Sequence, residues 1–278
     1  MGSYHLSWYD PVCSANGYKM NFKDIIVRRS KSIGWIEINR IEVNNAARPK
    51  TMEEICKALD ELEGDDQVRA VVITGRGKHF MAGGDFEFLK NIVGTRTEDV
   101  RDQLYEHFQG VTRRLFQFPK PTIAAVAGAA ITVGCEIALA CDIRIAANTA
   151  KFEESWIKIG LMPPLGGAML LPRFIGLGLA KEMILEGKSL DAQEALDAGL
   201  VNIVVEQDQL HDTAEARALS MAALPRHAFR TSKEAIHRGI ESTMEIEWAA
   251  NVMAQSILLG TEDFRTRLQQ LLTRQSNS

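Results

Sequence analysis

The sequence predicts an α/β fold with largely parallel strands, followed by a helical C-terminal region. Strand and helix patterns alternate as far as residue 205, which is typical of a parallel sheet covered by helices. The segments VRAVVIT at 68–74 and TIAAV at 122–126 are apolar and rich in β-branched residues, as strands buried on both faces are. From Gln209 to about Leu272 the spacing is helical throughout, so this region must bury its apolar face on the core or on another subunit.

The first half of the chain divides into an arm and a series of strands and helices. Residues 1–20 are polar and turn-rich, which predicts an N-terminal arm. IIVRR and GWIEINR alternate apolar with polar residues and predict two strands. Thr51–Leu62 has helical spacing, and we expect Thr51 to be its N-cap, with Glu54 completing a capping box. After the strand at 68–74, glycines form a loop before helices at 85–92 and 97–116.

The second half continues the alternation and then changes character. The pattern predicts a helix at 136–140, a strand at 142–146, an extended or irregular segment at 152–157, helices at 168–174, 179–186 and 192–198, and a strand at 201–205. The predicted organisation is therefore an arm (1–20), an α/β core (21–208) and a helical C-terminal region (209–278).

Composition and charge exclude several classes of protein. The chain has 278 residues, 46% of them hydrophobic, and a formal net charge of −4, which argues against an electrostatic nucleic-acid binder. The four cysteines form no CxxC pair, so we expect no metal site. Cys135 and Cys141 lie in an apolar segment and are expected to be buried thiols, which favours a reducing, cytoplasmic location. Neither a secretory signal nor an apolar run of membrane-spanning length is expected.

The most informative stretch runs from Ala127 to Pro172. Residues 127–133 carry little side-chain bulk, so backbone N–H groups there can approach a ligand closely. Glu136 follows at once, just before the apolar run 137–141. A carboxylate in such a place is paired, lies at a helix end, or is positioned for proton transfer.

Five segments in order carry a resemblance to a known family: GWIEINR, VRAVVITGRGKHFMAGGDFEFL, KPTIAAVAGAAITVGCEIALACDIRIAANTAKF, GLMPPLGGAMLLPRFIG and AKEMILEGKSLDAQEALDAGLVNIVV. The match extends over roughly residues 22–270, nearly the whole chain, and with these segments the chain resembles the crotonase, or enoyl-CoA hydratase/isomerase, superfamily. The resemblance implies a crotonase-type spiral of ββα units with a C-terminal helical trimerisation region. It also implies an acyl-CoA thioester as substrate, a homotrimer or hexamer, and neither a metal nor a redox cofactor.

The resemblance also assigns roles to single residues. A thioester has an acidic α-carbon when its carbonyl oxygen is stabilised by preorganised donors, and the resemblance gives these donors as the amides of Gly84 and Val133. Glu136 matches one of the two glutamates that act as acid and base in the family; the alternative is a capping or salt-bridged glutamate. The resemblance places the backbone of Ala82 and Gly83 at the adenine end of coenzyme A. Met81, Asp85 and Trp156 are further candidate substrate-binding residues. Core packing is the alternative for Met81, and Asp85 is also expected to cap the helix behind it.

The sequence departs from the family pattern beside the predicted site. Trp156 stands where the second glutamate is expected, and an indole neither takes up nor releases a proton at neutral pH. It is interpreted as an aromatic wall for the acyl group or as a core residue. Glu153 and Glu154 are close in sequence, and whether either replaces the missing glutamate stays open. Glu154 could turn into the site, but a solvated or salt-bridged surface position is the favoured expectation. Thr132 and Val133 replace frequent glycines, and Pro164 occupies the position of the base in some isomerases.

These features predict an acyl-CoA enzyme that stabilises a thioester enolate, with Glu136 as its acid/base. Hydratase or lyase chemistry and double-bond isomerisation remain close alternatives. A hydrolase of CoA thioesters or C–C bonds, or a decarboxylase, follows them. A non-catalytic acyl-CoA-binding homologue is the rival from another class, because of Trp156. A nucleic-acid-binding member is disfavoured by the acidic isoelectric point.

Overall fold

The computed structural model describes residues 22–276, so the predicted arm at 1–20 lies outside the described residues. The strands are β1 (Ile25–Ser30), β2 (Ile33–Ile38), β3 (Ala70–Gly75), β4 (Thr122–Val126), β5 (Ala129–Ile131), β6 (Ile143–Ala147), β7 (Lys151–Glu153), β8 (Ser189–Asp191) and β9 (Ile203–Val205). The helices are α1 (Pro49–Gly64), α2 (Phe86–Ile92), α3 (Thr97–Gln103), α4 (Gln109–Gln117), α5 (Val133–Ala140), α6 (Gly167–Lys181), α7 (Ala192–Asp197), α8 (Leu210–Ala222), α9 (Arg226–Arg238), α10 (Met244–Leu259) and α11 (Glu262–Ser276).

Two sheets organise the structure, and together they confirm the predicted α/β class. The larger sheet has the strand order β1-β2-β3-β4-β6-β9, in which β1 and β2 are antiparallel and every later neighbour is parallel. The smaller sheet has the order β5-β7-β8, with β5 and β7 parallel and β8 antiparallel to β7. The C-terminal region is helical from α8 to α11, as its spacing predicts.

The central strands are apolar at successive positions because both faces of the larger sheet are covered. Val71 and Ile73 of β3 point into a large core shared with α1, α4 and α5. Ala70 and Val72 point to the other face, where they pack in a second core with α8. Side chains alternate between the two faces of a strand, so a strand covered on both sides must be apolar throughout.

The start of α1 differs from its prediction, because the expected capping box is absent. The N-cap is Arg48, whose side chain makes no capping bond, and Pro49 begins the helix. Thr51 lies inside the helix and donates its hydroxyl to Asp24 at 2.6 Å. The Glu54 carboxylate accepts the backbone amides of residues 23 and 24 instead. A tertiary contact to the preceding segment therefore uses both side chains, while the fixed φ of the proline starts the helix.

Several other elements follow the sequence pattern with local changes. The helix predicted at 97–116 contains a π-helical turn, Leu104–Phe108, between α3 and α4. The segment predicted as extended or irregular is the end of β7 followed by a 3₁₀ turn, Ser155–Ile159. Helix α6 bends at Gly176, which has a φ of 76°. Among the described residues, none of the helices is long and apolar enough to span a bilayer.

Candidate active site

The smaller sheet brings two carboxylates to one place. Strands β5 and β7 are parallel, with Ile131 opposite Glu153. The carboxyl ends of parallel neighbours meet at the same edge, so the residues that follow both strands are adjacent. Helix α5 starts at Val133, directly after β5, and carries Glu136 in its first turn. Glu154 is the first residue after β7.

Glu136 is buried and held by three donors from distant segments. Its Oε1 accepts the backbone amides of Leu165 and Gly167, each at 2.8 Å. Its Oε2 accepts the indole Nε1–H of Trp156 at 3.2 Å. Gly167 is the first residue of α6, so the carboxylate lies at the positive end of that helix dipole. The side chain is thus fixed in position without a cationic partner among these contacts.

The environment of Glu136 brings the pKa of its carboxyl group close to neutral pH. Burial disfavours the charged carboxylate and raises the pKa of Glu136 to about 7, although the three hydrogen bonds oppose this shift. A carboxyl group with such a pKa exists in both protonation states at physiological pH. It can therefore accept a proton in one step and return it in the next.

The expectation that Glu154 is a surface residue is wrong. Its relative exposure is 0%, and neither carboxylate oxygen has a hydrogen-bond partner within the described residues. The alternation of β7 explains the position, because Phe152 and Glu154 face inwards while Glu153 faces outwards and pairs with Lys158 at 2.8 Å. Burial and the charge of Glu136 hold the pKa of Glu154 well above its usual range.

The loop before α2 lies against the turn that starts α5. Met81 pairs with Ala130 of β5. Gly83 has a φ of +99°, and a Cβ on it would lie 2.7 Å from the Thr132 hydroxyl oxygen. A Cβ on Gly134 would collide with the carbonyl oxygen of Met81. Glycine is therefore required where the two loops approach each other, and this contact brings the predicted donors Gly84 and Val133 to the same region.

Within residues 22–276, the two predicted donor amides have no acceptor among the protein's own groups. Ala47 pairs with the loop on one side, through the Gly83 carbonyl and the Asp85 amide, which leaves the Gly84 N–H on the opposite side. The Val133 N–H lies in the first turn of α5, where helical amides have no partner within the helix. In the part of the chain that the structure describes, neither amide donates to another backbone or side-chain group.

Thr132 shows how the turn accommodates a residue other than glycine. Its φ of 47° and ψ of −107° lie in a region that glycine favours. Such a conformation costs about 1–3 kcal/mol for other residues and persists only where the surroundings enforce it. The Thr132 amide donates to the carbonyl of Glu153 at 2.7 Å, and its carbonyl accepts the Glu136 amide at 3.0 Å. These two bonds hold the strained turn.

The remaining predicted site residues are placed as follows. Asp85 is the N-cap of α2, as expected, and its carboxylate also pairs with Arg40 at 2.8 Å. Arg40 holds the pKa of Asp85 below its usual value against the opposing effect of burial. Met81 is fully buried in the large core and Ala82 is half-buried. The contacts of these residues with a substrate stay predictions.

Two features of the site differ from what the sequence predicts: the inward position of Glu154 and the hydrogen bond of Trp156. The alternation that starts at the apolar Phe152 is a signal that predicts the first. The second has no local signal, because it joins residues 20 positions apart. Among the described residues, no group of three or more His, Cys, Asp and Glu side chains has the geometry of a metal site.

Comparison with known proteins places these residues in a wider group. A family profile described as enoyl-CoA hydratase/isomerase matches residues 28–277. A protein named probable enoyl-CoA hydratase from Mycobacterium bovis is 38% identical over 81% of this chain and 85% of its own length. The short-chain-enoyl-CoA hydratase of Clostridium acetobutylicum is 36% identical over 88% and 92%. A solved enoyl-CoA hydratase from Bacillus anthracis superposes with a TM-score of 0.84 at 33% identity, covering 91% of this chain and 97% of that chain.

Proposed function

The chain belongs to the enoyl-CoA hydratase/isomerase family, and on that premise we propose that it hydrates the double bond of a 2-enoyl-CoA thioester, with Glu136 as an acid/base. One observation carries the proposal. Glu136 is a buried carboxyl group, held by three hydrogen bonds, whose pKa is raised to about 7. The names of the relatives support hydration, since those compared above are called enoyl-CoA hydratases.

The thioester carbonyl is proposed to bind between the amides of Gly84 and Val133. Both N–H groups are without a partner in the described protein, and both loops meet beside Glu136. When water adds to the β-carbon, the electrons of the double bond move to the thioester oxygen and form an enolate. Each preorganised donor contributes about 3 kcal/mol to such a transition state. Glu136 takes the proton of the attacking water, which makes the water oxygen nucleophilic as the new bond forms.

Coenzyme A is proposed to lie along the loop that precedes α2. By the family resemblance, the backbone at Ala82 and Gly83 contacts the adenine end, and the small side chains of this loop permit that approach. Asp85 holds the loop by capping α2 and pairing with Arg40. Met81 supports the loop from the core, and Trp156 lines the acyl side while donating to Glu136. No separate cofactor takes part in this scheme, because the thioester itself is the activated group.

Double-bond isomerisation is the second candidate. Trp156 occupies the position of the family's second glutamate, and its indole cannot exchange protons. A single carboxylate that removes a proton from one carbon and returns it to another suffices for isomerisation. A comparison of 2-enoyl-CoA and 3-enoyl-CoA substrates separates the two candidates, since only hydration consumes water.

The test is the variant Glu136→Gln. Glutamine has the same shape and its oxygen still accepts the two backbone amides, but it cannot take up a proton. We expect turnover of short-chain 2-enoyl-CoA to fall by about 100-fold to 10,000-fold, while calorimetry shows an unchanged Kd for the CoA ester. Unchanged turnover in the variant would remove Glu136 from the mechanism.

The same substrate panel tests the remaining alternatives. Release of free thiol or carbon dioxide would identify a thioester or C–C hydrolase, or a decarboxylase. Tight binding without turnover, and without exchange of the α-proton in D₂O, would identify a non-catalytic acyl-CoA binder. Both outcomes contradict hydration, and they are distinguishable because only the first releases a product.

A homotrimer, or a hexamer of two trimers, is proposed as the functional assembly. Helix α10 exposes large apolar side chains, among them Trp248, Met253 and Ile257 with exposures of 63%, 66% and 70%. Such a surface is typical of an interface. Light scattering should give a mass of three or six chains, and Ile257→Glu should reduce it. A monomer at micromolar concentration would contradict the proposal.

A cytoplasmic location is proposed together with this function. The thiols of Cys56, Cys135 and Cys141 are free, and the last two are buried. Free buried thiols are typical of proteins in a reducing compartment. Fractionation of cells that express the protein tests this assignment.

A further inference from the structure

Glu154 is a buried carboxyl group that nothing in the described protein satisfies. Its relative exposure is 0%, and both oxygens are without a hydrogen-bond partner in residues 22–276. Buried polar groups are almost always hydrogen-bonded in folded proteins, and an exception needs an explanation, of which a catalytic role is one. A purely structural side chain at this position would be apolar, since the surrounding core is apolar.

Glu154 and Glu136 face the same point. A Cβ on Gly167 would lie 3.0 Å from Oε1 of Glu136 and 3.1 Å from Oε1 of Glu154. Both carboxyl groups therefore approach Gly167 closely, on the side where a side chain would lie. The chain thus has a pair of inward carboxyl groups, although the second family position is Trp156.

The environments of the two groups give them different protonation states. The titratable groups that face Glu154 are Glu136 and the Cys135 thiol, both on α5, and Trp156 adds a neutral indole. Glu136 has three donors that stabilise its charge, whereas Glu154 has none of normal geometry. Two neighbouring buried carboxyl groups do not ionise together, so the satisfied one carries the charge and the other keeps its proton.

We propose that Glu154 is the second acid/base group of the site and donates the proton that completes the addition of water, in place of the glutamate that is absent at position 156. This proposal rests on the hydratase function proposed above. Glu136 takes a proton from water as the oxygen bonds to the β-carbon, and the double-bond electrons move to the thioester oxygen. The enolate then collapses, and the α-carbon takes the proton of Glu154. Glu136 finally returns its proton to Glu154, so that one water is consumed and both groups are restored.

The pH profile distinguishes this role from a structural one. Hydration needs Glu136 ionised and Glu154 protonated, so kcat/KM should form a bell with an acid limb from Glu136 and an alkaline limb from Glu154. The apparent pKa values of the two limbs describe the coupled pair of carboxyl groups and not either residue alone, because the two groups interact.

The decisive variant is Glu154→Gln, which has the shape of the protonated acid but cannot donate its proton. We expect kcat for hydration to fall by about 100-fold or more, the alkaline limb to disappear, and the Kd of the CoA ester to stay unchanged. The matched control is Glu153→Gln, which removes the neighbouring outward carboxylate and its pair with Lys158. The control should keep the wild-type rate and both limbs.

Each outcome has a separate meaning. A Glu154→Gln enzyme that keeps its rate and both limbs would show that Glu154 is structural, even if Glu136→Gln is inactive. A wild-type profile without an alkaline limb would overturn the proposal without any variant, which covers the case of a variant that does not fold. Absence of hydration by the wild type would instead refute the proposed function itself.

Discussion

Replacing Trp156 by phenylalanine is expected to move activity to higher pH. The indole Nε1–H donates to Oε2 of Glu136 at 3.2 Å in a buried setting. Phenylalanine keeps an aromatic ring there but has no donor. The hydrogen bond stabilises the ionised carboxylate and lowers the pKa of Glu136. Its loss therefore raises that pKa, and a base that must be ionised becomes active only at higher pH.

The size of the shift follows from the strength of the bond. A hydrogen bond to a charged group contributes about 1.5–3 kcal/mol, and 3.2 Å is at the long end of the range for N–H···O bonds. The lower value of about 1.5 kcal/mol corresponds to about one pKa unit. The pKa of Glu136 should then rise from about 7 to about 8. At pH 7 the ionised fraction falls from about a half to about a tenth, so the rate falls about fivefold.

The assay is kcat/KM for a short-chain 2-enoyl-CoA between about pH 5 and pH 10. The acid limb of the Trp156→Phe enzyme should lie about one pH unit above that of the wild type. The kcat/KM values of the two enzymes should converge at higher pH. The matched control is Trp35→Phe, because Trp35 is fully buried against α8 and its indole nitrogen has no partner in the described residues. An acid limb at the wild-type pH, or at a lower one, would refute the reasoning.

Two further predictions concern the surroundings of the site. Gly167→Ala should lower kcat by about 100-fold, because its Cβ would press on Glu136 and Glu154. Gly178→Ala in the same helix, where the space is open, should leave kcat unchanged; equal rates in both variants would contradict this. Arg144→Met should lower the free energy of unfolding in urea by about 3 kcal/mol, because the buried guanidinium donates to four carbonyl oxygens, three of them at the end of α5. A loss below about 1 kcal/mol would refute that role.

The order of elements and the general position of the site follow from local sequence. Strands such as β3 and β4 are continuous apolar runs of the length and composition that buried parallel strands need, and the structure confirms both. The small-residue turn before Glu136 could also be predicted, because close approach of main chains requires little side-chain bulk. Asp85 as the cap of α2 is a local interaction, and it was predicted for that reason.

Capping of α1 shows where local reasoning fails. Thr51 and Glu54 have the spacing of a capping box, but both side chains bind the segment at residues 23 and 24. A contact between segments about thirty positions apart competes with the local one, and its geometry depends on how the chain folds. Spacing alone does not contain that information.

Local sequence places Glu136 beside an apolar run and so predicts a carboxyl group in the core there, whereas it predicts Glu154 at the surface, where the structure does not place it. The folded arrangement of distant segments sets the hydrogen bonds that each carboxyl group receives. Glu136 receives its backbone donors from residues 29 and 31 positions away, and Glu154 receives none among the described residues. The pKa of a carboxyl group depends on its desolvation and on its donors, and both are set by segments that meet only when the chain is folded.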